Sequence, residues 1–204
     1  MIWVIKIGGS LYDAPELPRW LDAVASHATG STVLVAGGGP FADQVRAAQA
    51  RWKFSDADAH LMAVYSMEQY ARVFLAMEPR LVPARSPEEI ESALAAGRVP
   101  VWFPARMVER QQGIEPVWDF TSDSLSAWLA GRIGARDLAL VKSVTPPAGV
   151  HPASKLAAQG IVDRRFPDLL GAGNFAAWWL GRADYRWVSG LACGDRPAAQ
   201  LLPS

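Results

Sequence analysis

Short apolar runs that end in glycine or a polar break, each followed by a helical pattern, recur along the chain. The clearest runs are residues 2–7, residues 32–36 and residues 138–144. Strands that alternate with helices predict a mainly parallel sheet covered on both faces. We therefore expect an α/β protein, a three-layer α/β/α sandwich with a mostly parallel central sheet. In such sheets ligands bind beyond the carboxyl ends of the strands.

The periodicity between these runs predicts the remaining elements. Ser86, followed by Pro87 and by Glu89 in capping-box spacing, predicts the start of a further helix. We expect residues 106–117 to form a loop or hairpin. Helices are predicted over residues 17–27, 41–52, 58–77, 123–133, 153–159 and 174–180, and shorter strands over residues 80–83, 99–103 and 186–189.

Length and charge limit the classes of function. The 204 residues suit one domain spanning residues 1–204. Twenty basic residues balance twenty acidic ones without a long run of either sign, so we expect no nucleic-acid partner. No stretch approaches about 20 apolar residues, and the first residues lack the features of a signal peptide. With Cys193 as the single cysteine, we expect a cytoplasmic protein that does not bind membranes.

Three segments carry candidate chemistry, and the first begins at Lys6. Gly8, Gly9 and Ser10 follow this lysine at the end of the first apolar run. Glycines let backbone amides approach a phosphate closely, and a lysine adds charge to such a nest. The alternative is a tight turn beside a solvated lysine, although a lysine inside an apolar strand needs a partner.

The second segment is Gly37, Gly38 and Gly39, directly after the second apolar run and before Pro40. Three glycines between a strand and a helix predict the close approach of another group. The alternative is a flexible loop. The spacing matches neither a dinucleotide-binding fingerprint nor a P-loop.

The third segment, Thr121, Ser122, Asp123 and Ser124, opens a helix. Taken alone, Ser and Asp at this place are typical of an N-cap. The functional alternative is that the Asp123 carboxylate belongs to a binding site at the same edge of the sheet.

In this order and spacing the three segments resemble the amino-acid-kinase family, over about residues 1–145. Within the family, residues 118–124 and the short chain look most like a branch that phosphorylates an aminomethylfuran-methyl phosphate in methanofuran-type cofactor synthesis. The resemblance implies ATP and Mg²⁺ as partners of the reaction, a small anionic acceptor, and assembly into homo-oligomers. It also implies an acceptor-binding half over about residues 1–120 and an ATP-binding half over about residues 121–204.

Site roles follow from the same resemblance. Lys6 matches the lysine that contacts the transferred phosphoryl group, and Asp123 matches the carboxylate that orients the catalytic lysines. Gly8, Gly9 and Ser10 match the phosphate-binding turn of the nucleotide site. The remaining matches are on the acceptor side: Gly37, Gly38, Gly39, Thr121 and Ser122.

The sequence departs from the family where the nucleotide binds. Lys142 and Ser143 stand near a place that is often acidic, and residues 161–173 contain no second catalytic lysine. We expect Lys142 to replace that lysine and Ser143 to contact the ATP phosphates. Strand alternation also allows a solvent-facing Lys142, in which case Arg164 or Arg165 is the alternative cation.

Two further expectations concern the helix over residues 58–77. His60 either contacts the anionic acceptor or packs at the start of this helix, and the Met and Tyr residues along it form a candidate subunit interface.

The alternative acceptors are an amino-acid carboxylate, UMP or an isoprenoid phosphate. The alternative to an enzyme is a storage or regulatory protein that binds a nucleotide without catalysis.

Overall fold

The structure, a computed structural model, describes residues 1–109 and 118–202. Within these residues eight strands form one sheet, and eight α-helices and two 3-10 segments surround it. The strands are β1 (Trp3–Ile7), β2 (Thr32–Ala36), β3 (Leu81–Ala84), β4 (Val99–Trp102), β5 (Asp137–Lys142), β6 (Gly149–Pro152), β7 (Ala176–Gly181) and β8 (Ala199–Leu202). The helices are α1 (Leu17–His27), α2 (Gly39–Trp52), α3 (Asp56–Met77), α4 (Pro87–Ala95), α5 (Ala105–Val108), α6 (Ser122–Arg132), α7 (Ala153–Ala158) and α8 (Phe166–Ala172), with 3-10 segments at Gly9–Leu11 and Asp184–Cys193.

The strand order is β3-β4-β2-β1-β5-β7-β8-β6. All neighbouring pairs are parallel except β7 and β8, which are antiparallel. The central strands are buried on both faces, which explains their near-continuous apolar sequences. This arrangement confirms the predicted α/β class with a mostly parallel central sheet.

Two hydrophobic clusters lie on opposite faces of the sheet. Alternate strand residues divide between them, because successive side chains of a strand point to opposite faces. In β1, Val4 joins the cluster under α4, α6, α7 and α8, whereas Trp3, Ile5 and Ile7 join the cluster under α1. The α3 helix contributes to both clusters. Helices on both faces of one sheet give the three layers.

Local sequence explains where the helices beside the site begin. The Ser55 hydroxyl accepts the amide of Asp58 at 3.1 Å and caps α3, and the Ser86 hydroxyl accepts the amide of Glu89 at 3.3 Å and caps α4. Both are the hydroxyl caps that satisfy otherwise unpaired first-turn amides. Pro87 stands at the first position of α4, as its sequence predicts.

The structure corrects several predicted elements near the carboxyl end of the chain. Residues 174–180 do not form a helix; Trp178 and Trp179 belong to β7, whose partner β5 fixes them in extended conformation. Residues 186–189 are part of a 3-10 segment, and the closing strand is β8. The short α5 helix occupies part of the expected loop over residues 106–117, of which residues 110–117 lie outside the described part of the chain.

No helix in the described ranges, residues 1–109 and 118–202, is long and apolar enough to cross a membrane.

Candidate active site

The three glycine- and serine-containing segments meet at one edge of the sheet. β2, β1 and β5 are neighbours and run parallel, so their carboxyl ends lie side by side. The turn at Gly8 follows β1, the turn at Gly37 follows β2, and Ser143 follows β5. The α6 helix packs against β1 and β5, and it begins at the same edge.

A buried carboxylate joins two lysines at this edge. The Lys6 ammonium donates to Asp123 Oδ1 at 2.8 Å, and the Lys142 ammonium donates to Asp123 Oδ2 at 2.6 Å. The side chains of Lys6 and Asp123 are 4% and 6% exposed, and that of Lys142 is 16% exposed. Each carboxylate oxygen therefore holds one lysine, and Lys142 is the cation that faces solvent more.

Strand alternation explains why these side chains meet. Lys6 lies two positions after Val4 on β1, and Lys142 lies two positions after Leu140 on β5, so both lysines share the face covered by α6. Asp123 lies in the first turn of α6. The prediction that Lys142 turns inward towards Asp123, rather than towards solvent, therefore agrees with its position.

Burial and the neighbouring charges shift the pKa values of Asp123 and Lys142. Burial alone would raise the pKa of Asp123, but Lys142 and Lys6 together hold it well below its ordinary value. Burial lowers the pKa of Lys142, although the adjacent Asp123 opposes that shift. The carboxylate thus stays ionised, and Lys142 gives up its proton more readily than an exposed lysine does.

The contacts of Asp123 are not those of an N-cap residue. Thr121 is the N-cap residue of α6 and makes no side-chain capping bond, and both oxygens of Asp123 accept lysine ammonium groups. An acid in the first turn also interacts favourably with the helix dipole, so the two effects act together.

Sequence reasoning missed Asp163. This carboxylate lies between α7 and α8 and accepts bonds from the backbone amides of Thr121, Ser124 and Phe166, each at 3.0 Å. It also accepts the hydroxyl of Thr121 at 2.9 Å and the hydroxyl of Ser124. Asp163 therefore fixes the first turn of α6, on which Asp123 is carried.

Burial raises the pKa of Asp163, and the nearby Asp123 charge raises it further, whereas the Ser124 and Thr121 bonds oppose the shift. The sequence contained a signal for this residue. Asp163 follows the apolar pair Ile161 and Val162, and an acid next to apolar residues needs donors if it is buried. Its partners on α6, Thr121 and Ser124, are 42 and 39 positions away, so spacing alone cannot identify them.

The two glycine turns touch each other through their backbones. A Cβ on Gly9 would lie 2.4 Å from the Gly39 nitrogen, and a Cβ on Gly37 would lie 2.6 Å from the Gly9 nitrogen. The amide of Gly8 donates to the Val141 carbonyl at 3.0 Å, and that of Gly37 donates to the Ile7 carbonyl at 2.9 Å. Within the described residues the amides of Gly9, Ser10, Gly38 and Gly39 have no such acceptor, so these four are the candidate anion donors.

Two cavities adjoin the start of α6. The larger, which we call the lysine cavity, has a volume of about 500 Å³ and is lined in part by Lys6, Asp123, Lys142, Asp163 and Arg164. The smaller, which we call the acceptor cavity, has a volume of about 70 Å³ and lies between α2, α3 and α6. Thr121 and Ser122 line both cavities, so a group at the start of α6 is reached from either side.

The other candidate residues occupy different positions. His60 is buried, lines the acceptor cavity together with Gly38, and its ring centroid lies 6.4 Å from that of Phe120. Ser10 and Ser143 are exposed. Arg164 lies 3.8 Å from Asp119, and Arg165 donates to Asp168 at 3.1 Å on the outer side of the same loop.

Comparison with known proteins gives the family of this chain. Residues 1–146 match the model of the amino acid kinase family. The chain therefore belongs to the amino acid kinase family, and it is a kinase.

A curated relative is similar over most of its length. The chain is 27% identical over 178 residues, or 82% of each protein, to a [5-(aminomethyl)furan-3-yl]methyl phosphate kinase of Methanocaldococcus jannaschii.

Solved structures share the fold at low sequence identity. A uridylate kinase from Archaeoglobus fulgidus has a TM-score of 0.74 at 14% identity, covering 98% of this chain and 100% of that one. UMP kinases from Bacillus anthracis and Ureaplasma parvum have TM-scores of 0.72 and 0.70, each at 11% identity, covering 100% and 99% of this chain and 96% and 98% of theirs. These likenesses support the amino-acid-kinase fold.

Proposed function

We propose that this kinase transfers the γ-phosphoryl group of ATP to a small anionic acceptor, best matched by an aminomethylfuran-methyl phosphate. The observation that carries the proposal is the buried Asp123 carboxylate, which holds the Lys6 ammonium at 2.8 Å and the Lys142 ammonium at 2.6 Å. Two cations fixed at one place suit a reaction in which negative charge passes from one phosphate to the next.

Phosphoryl transfer depends mainly on positioning and on stabilisation of charge in the transition state. In the proposed reaction an acceptor oxygen forms a bond to the γ-phosphorus while the bond from that phosphorus to the ADP oxygen breaks. Lys6 and Lys142 stabilise the charge on the transferred group. Asp123 holds both ammonium groups, so little reorganisation is needed as the reaction proceeds.

No general base is required for an anionic acceptor. A phosphate oxygen is already deprotonated when it attacks, so no proton has to be removed. The absence of a catalytic histidine beside Asp123, among the described residues, is consistent with this chemistry.

The glycine turns supply the second set of anion contacts. We assign Gly8, Gly9 and Ser10 to the ATP phosphates, together with Lys142 and Ser143. Gly37, Gly38 and Gly39 belong to the acceptor side in this proposal, with His60, Thr121 and Ser122. The amides of Gly9, Ser10, Gly38 and Gly39 are the donors within these sets, because those of Gly8 and Gly37 donate to neighbouring strands.

Mg²⁺ is the expected metal of the reaction, where it would neutralise charge on the β- and γ-phosphate oxygens. The described residues contain no group of three or more His, Cys, Asp or Glu that could hold a metal ion. A magnesium ion in this site would therefore be held chiefly by nucleotide phosphates and water, as is usual for Mg²⁺.

The choice of acceptor rests on the relative from Methanocaldococcus jannaschii, whose name specifies a furan-methyl phosphate. An amino-acid carboxylate, UMP and an isoprenoid phosphate are the alternative acceptors. The small volume of the acceptor cavity, about 70 Å³, favours a compact molecule over a long isoprenoid chain.

We also propose where the protein acts and how it assembles. In one domain, residues 1–120 would bind the acceptor and residues 121–204 would bind ATP. The exposed Met62, Tyr65 and Met77 of α3 would form a subunit interface in a homo-oligomer. The exposed free thiol of Cys193 suits the reducing cytoplasm.

The proposal is tested by incubating the purified protein with ATP, Mg²⁺ and one candidate acceptor at a time. ADP release is measured by a coupled assay, and the product is identified by ³¹P NMR. We expect ADP in step with a diphosphate product for the furan-methyl phosphate, and much slower ADP release for the Lys6→Met variant. No ADP above the acceptor-free background for any phosphate or carboxylate would contradict the proposal.

A further inference from the structure

We infer that the acceptor cavity selects a phosphomonoester with one small planar ring, and that Arg46 and Trp118 are the residues that make this selection. The inference rests on the proposed function, because it concerns the acceptor of the same reaction. It assigns roles to two residues outside the glycine, lysine and aspartate segments.

Arg46 and Trp118 form one unit at the side of the acceptor cavity. The Arg46 guanidinium carbon lies 4.7 Å from the centroid of the Trp118 indole, within the range of a cation–π contact. Arg46 Nη1 donates to Asp43 at 2.7 Å, and Trp118 Nε1 donates to Gln49 at 2.7 Å. Because both Asp43 and Gln49 belong to α2, the indole is held in one orientation against that helix.

The indole and the guanidinium both line the acceptor cavity, where Phe120 and His60 supply further ring surface. Arg46 is 53% exposed, so this side of the cavity is its mouth. A flat ring entering there meets aromatic faces and a planar cation. Stacking on such surfaces favours a planar acceptor over an aliphatic one.

The polar groups of the cavity determine which end of the acceptor enters first. Gly38, Thr121 and Ser122 line it at the starts of α2 and α6, where helix amides favour an anion. Among the described residues that line the cavity, none is acidic. Thr121, Ser122 and Trp118 also line the lysine cavity, so a phosphate placed beside Thr121 and Ser122 lies on the route to Lys6, and the ring can stay in contact with Trp118.

The small size of the cavity favours an acceptor with one ring over an acceptor with two. Its volume of about 70 Å³ is smaller than the engineered apolar cavity of about 150 Å³ that takes up benzene. A single five-membered ring, partly in the mouth, fits that space. The ribose and base of a nucleoside monophosphate together exceed it, although the solved structures with this fold are uridylate kinases.

The test compares three acceptors with ATP and Mg²⁺: furan-3-ylmethyl phosphate, ethyl phosphate and UMP. For the unmodified protein we expect kcat/KM for the ring phosphate to exceed that for each of the others at least tenfold. Trp118→Leu should lower the ratio of kcat/KM for the ring phosphate to kcat/KM for ethyl phosphate at least fivefold. Arg46→Gln should lower the same ratio. A general loss of structure would lower kcat/KM for both acceptors to the same extent and leave the ratio unchanged.

Arg51 and Trp52 provide a matched control. Arg51 lies 5.0 Å from the Trp52 ring centroid, on the same helix, but Trp52 is 70% exposed and neither residue lines the cavity. Arg51→Gln and Trp52→Leu should keep the ratio within twofold. The inference is wrong if UMP is the best acceptor, or if Trp118→Leu leaves the preference for the ring intact.

Calorimetry separates failure of the inference from failure of the proposed function. Binding of furan-3-ylmethyl phosphate is measured by isothermal titration without ATP, in the unmodified protein and in Trp118→Leu. Binding that Trp118→Leu weakens at least fivefold, without any turnover, would contradict the proposed reaction and support the ring site. Absence of binding to the unmodified protein would overturn the ring site, whatever reaction the protein catalyses.

Discussion

The ammonium of Lys142, at the end of β5, lies 2.6 Å from Oδ2 of Asp123, which is 19 positions earlier in the first turn of α6. A largely buried lysine at this place needs an anionic partner. Asp123 provides that partner. The positive charge is thereby fixed at the mouth of the lysine cavity, where the proposed function requires it.

Lys142→Met should therefore lower kcat or the affinity for ATP at least tenfold. Arg165→Met should have a smaller effect, because Arg165 pairs with Asp168 at 3.1 Å and does not line the lysine cavity. Steady-state kinetics with varied ATP checks this prediction. A silent Lys142→Met together with a damaging Arg165→Met would show that the arginine replaces the missing lysine.

The pH dependence of the reaction gives a second test of Lys142. Burial lowers the pKa of this ammonium from its ordinary 10.5, so the charge is lost as pH rises through a value below 10.5. We expect kcat/KM for ATP, which reports the free enzyme, to decline on the alkaline side below pH 10.5.

Lys142→Arg should move that decline to higher pH, because arginine remains charged. Lys53→Arg, at the exposed end of α2, serves as the control and should leave the profile unchanged. Circular dichroism over the same range checks that the fold persists. An alkaline decline at the same pH in Lys142→Arg would assign it to another group.

Lys6→Met should reduce kcat by about 10² to 10³, or about 3 to 4 kcal/mol of transition-state stabilisation, the scale of a preorganised electrostatic contact. The fold should remain, because methionine fills a similar volume in β1 and Asp123 keeps Lys142 as its partner. Stopped-flow or coupled kinetics measures the loss, with Lys53→Met as a surface control. A kcat close to that of the unmodified protein would remove Lys6 from the mechanism.

Asp123→Asn should lower both kcat and the free energy of unfolding. It leaves two largely buried lysines without a counterion, and breaking a buried pair costs about 3 to 5 kcal/mol. Because asparagine caps helices as well as aspartate, a residue acting only as a cap would tolerate this change. Denaturant titration and kinetics on the same preparation separate the two roles, and Ser124→Ala should reduce kcat less.

Acid titration checks the charge of Asp123 independently. Its folded pKa lies below the unfolded value of 3.8, so its stabilisation is present above that pH and is lost as pH falls towards the folded pKa. Asp123→Asn should remove this part of the acid dependence. If the free energy of unfolding fell with pH in the same way in Asp123→Asn as in the unmodified protein, the carboxylate would not take part in the ion pairs.

Asp163→Ala should reduce the free energy of unfolding by about 2 to 3 kcal/mol, because the amides of Thr121 and Ser124 lose a charged acceptor in a largely buried loop. Asp168→Ala provides the matched control, since this acid lies in the same region and is 68% exposed. We expect it to change stability by about 0.5 kcal/mol at most. Equal losses in the two variants would show that Asp163 does not fix α6.

The sequence predicted the sheet for identifiable physical reasons, and the same reasons explain why several candidate site residues lie together. Lys6 stands in an apolar strand and Asp123 opens a helix, and parallel strands bring their carboxyl ends to one edge. Local periodicity failed where pairing decides conformation. Residues 174–180 contain an unbroken apolar run without clear period, and only the neighbouring β5 and β8 make it a strand.

The site residues that sequence reasoning missed depend on distant contacts. Asp163 has a structural role because it accepts bonds from amides of α6. Trp118 is held in position by Gln49 of α2, which is 69 residues earlier. Neither spacing nor periodicity records such pairs. Glycine clusters and a lysine within a strand are local signals, which is why they could be recognised.

The contact between the two glycine turns constrains how kinases of this shape can diversify. A side chain on Gly9 would displace the backbone at Gly39, and one on Gly37 would displace Gly9, so neither turn can be altered without moving the other. If the proposed acceptor site is correct, new acceptors would have to be accommodated by side chains of α2, α3 and the start of α6. An attempt to redesign the substrate of this protein should begin at Arg46, His60 and Trp118 and leave the glycines as they are.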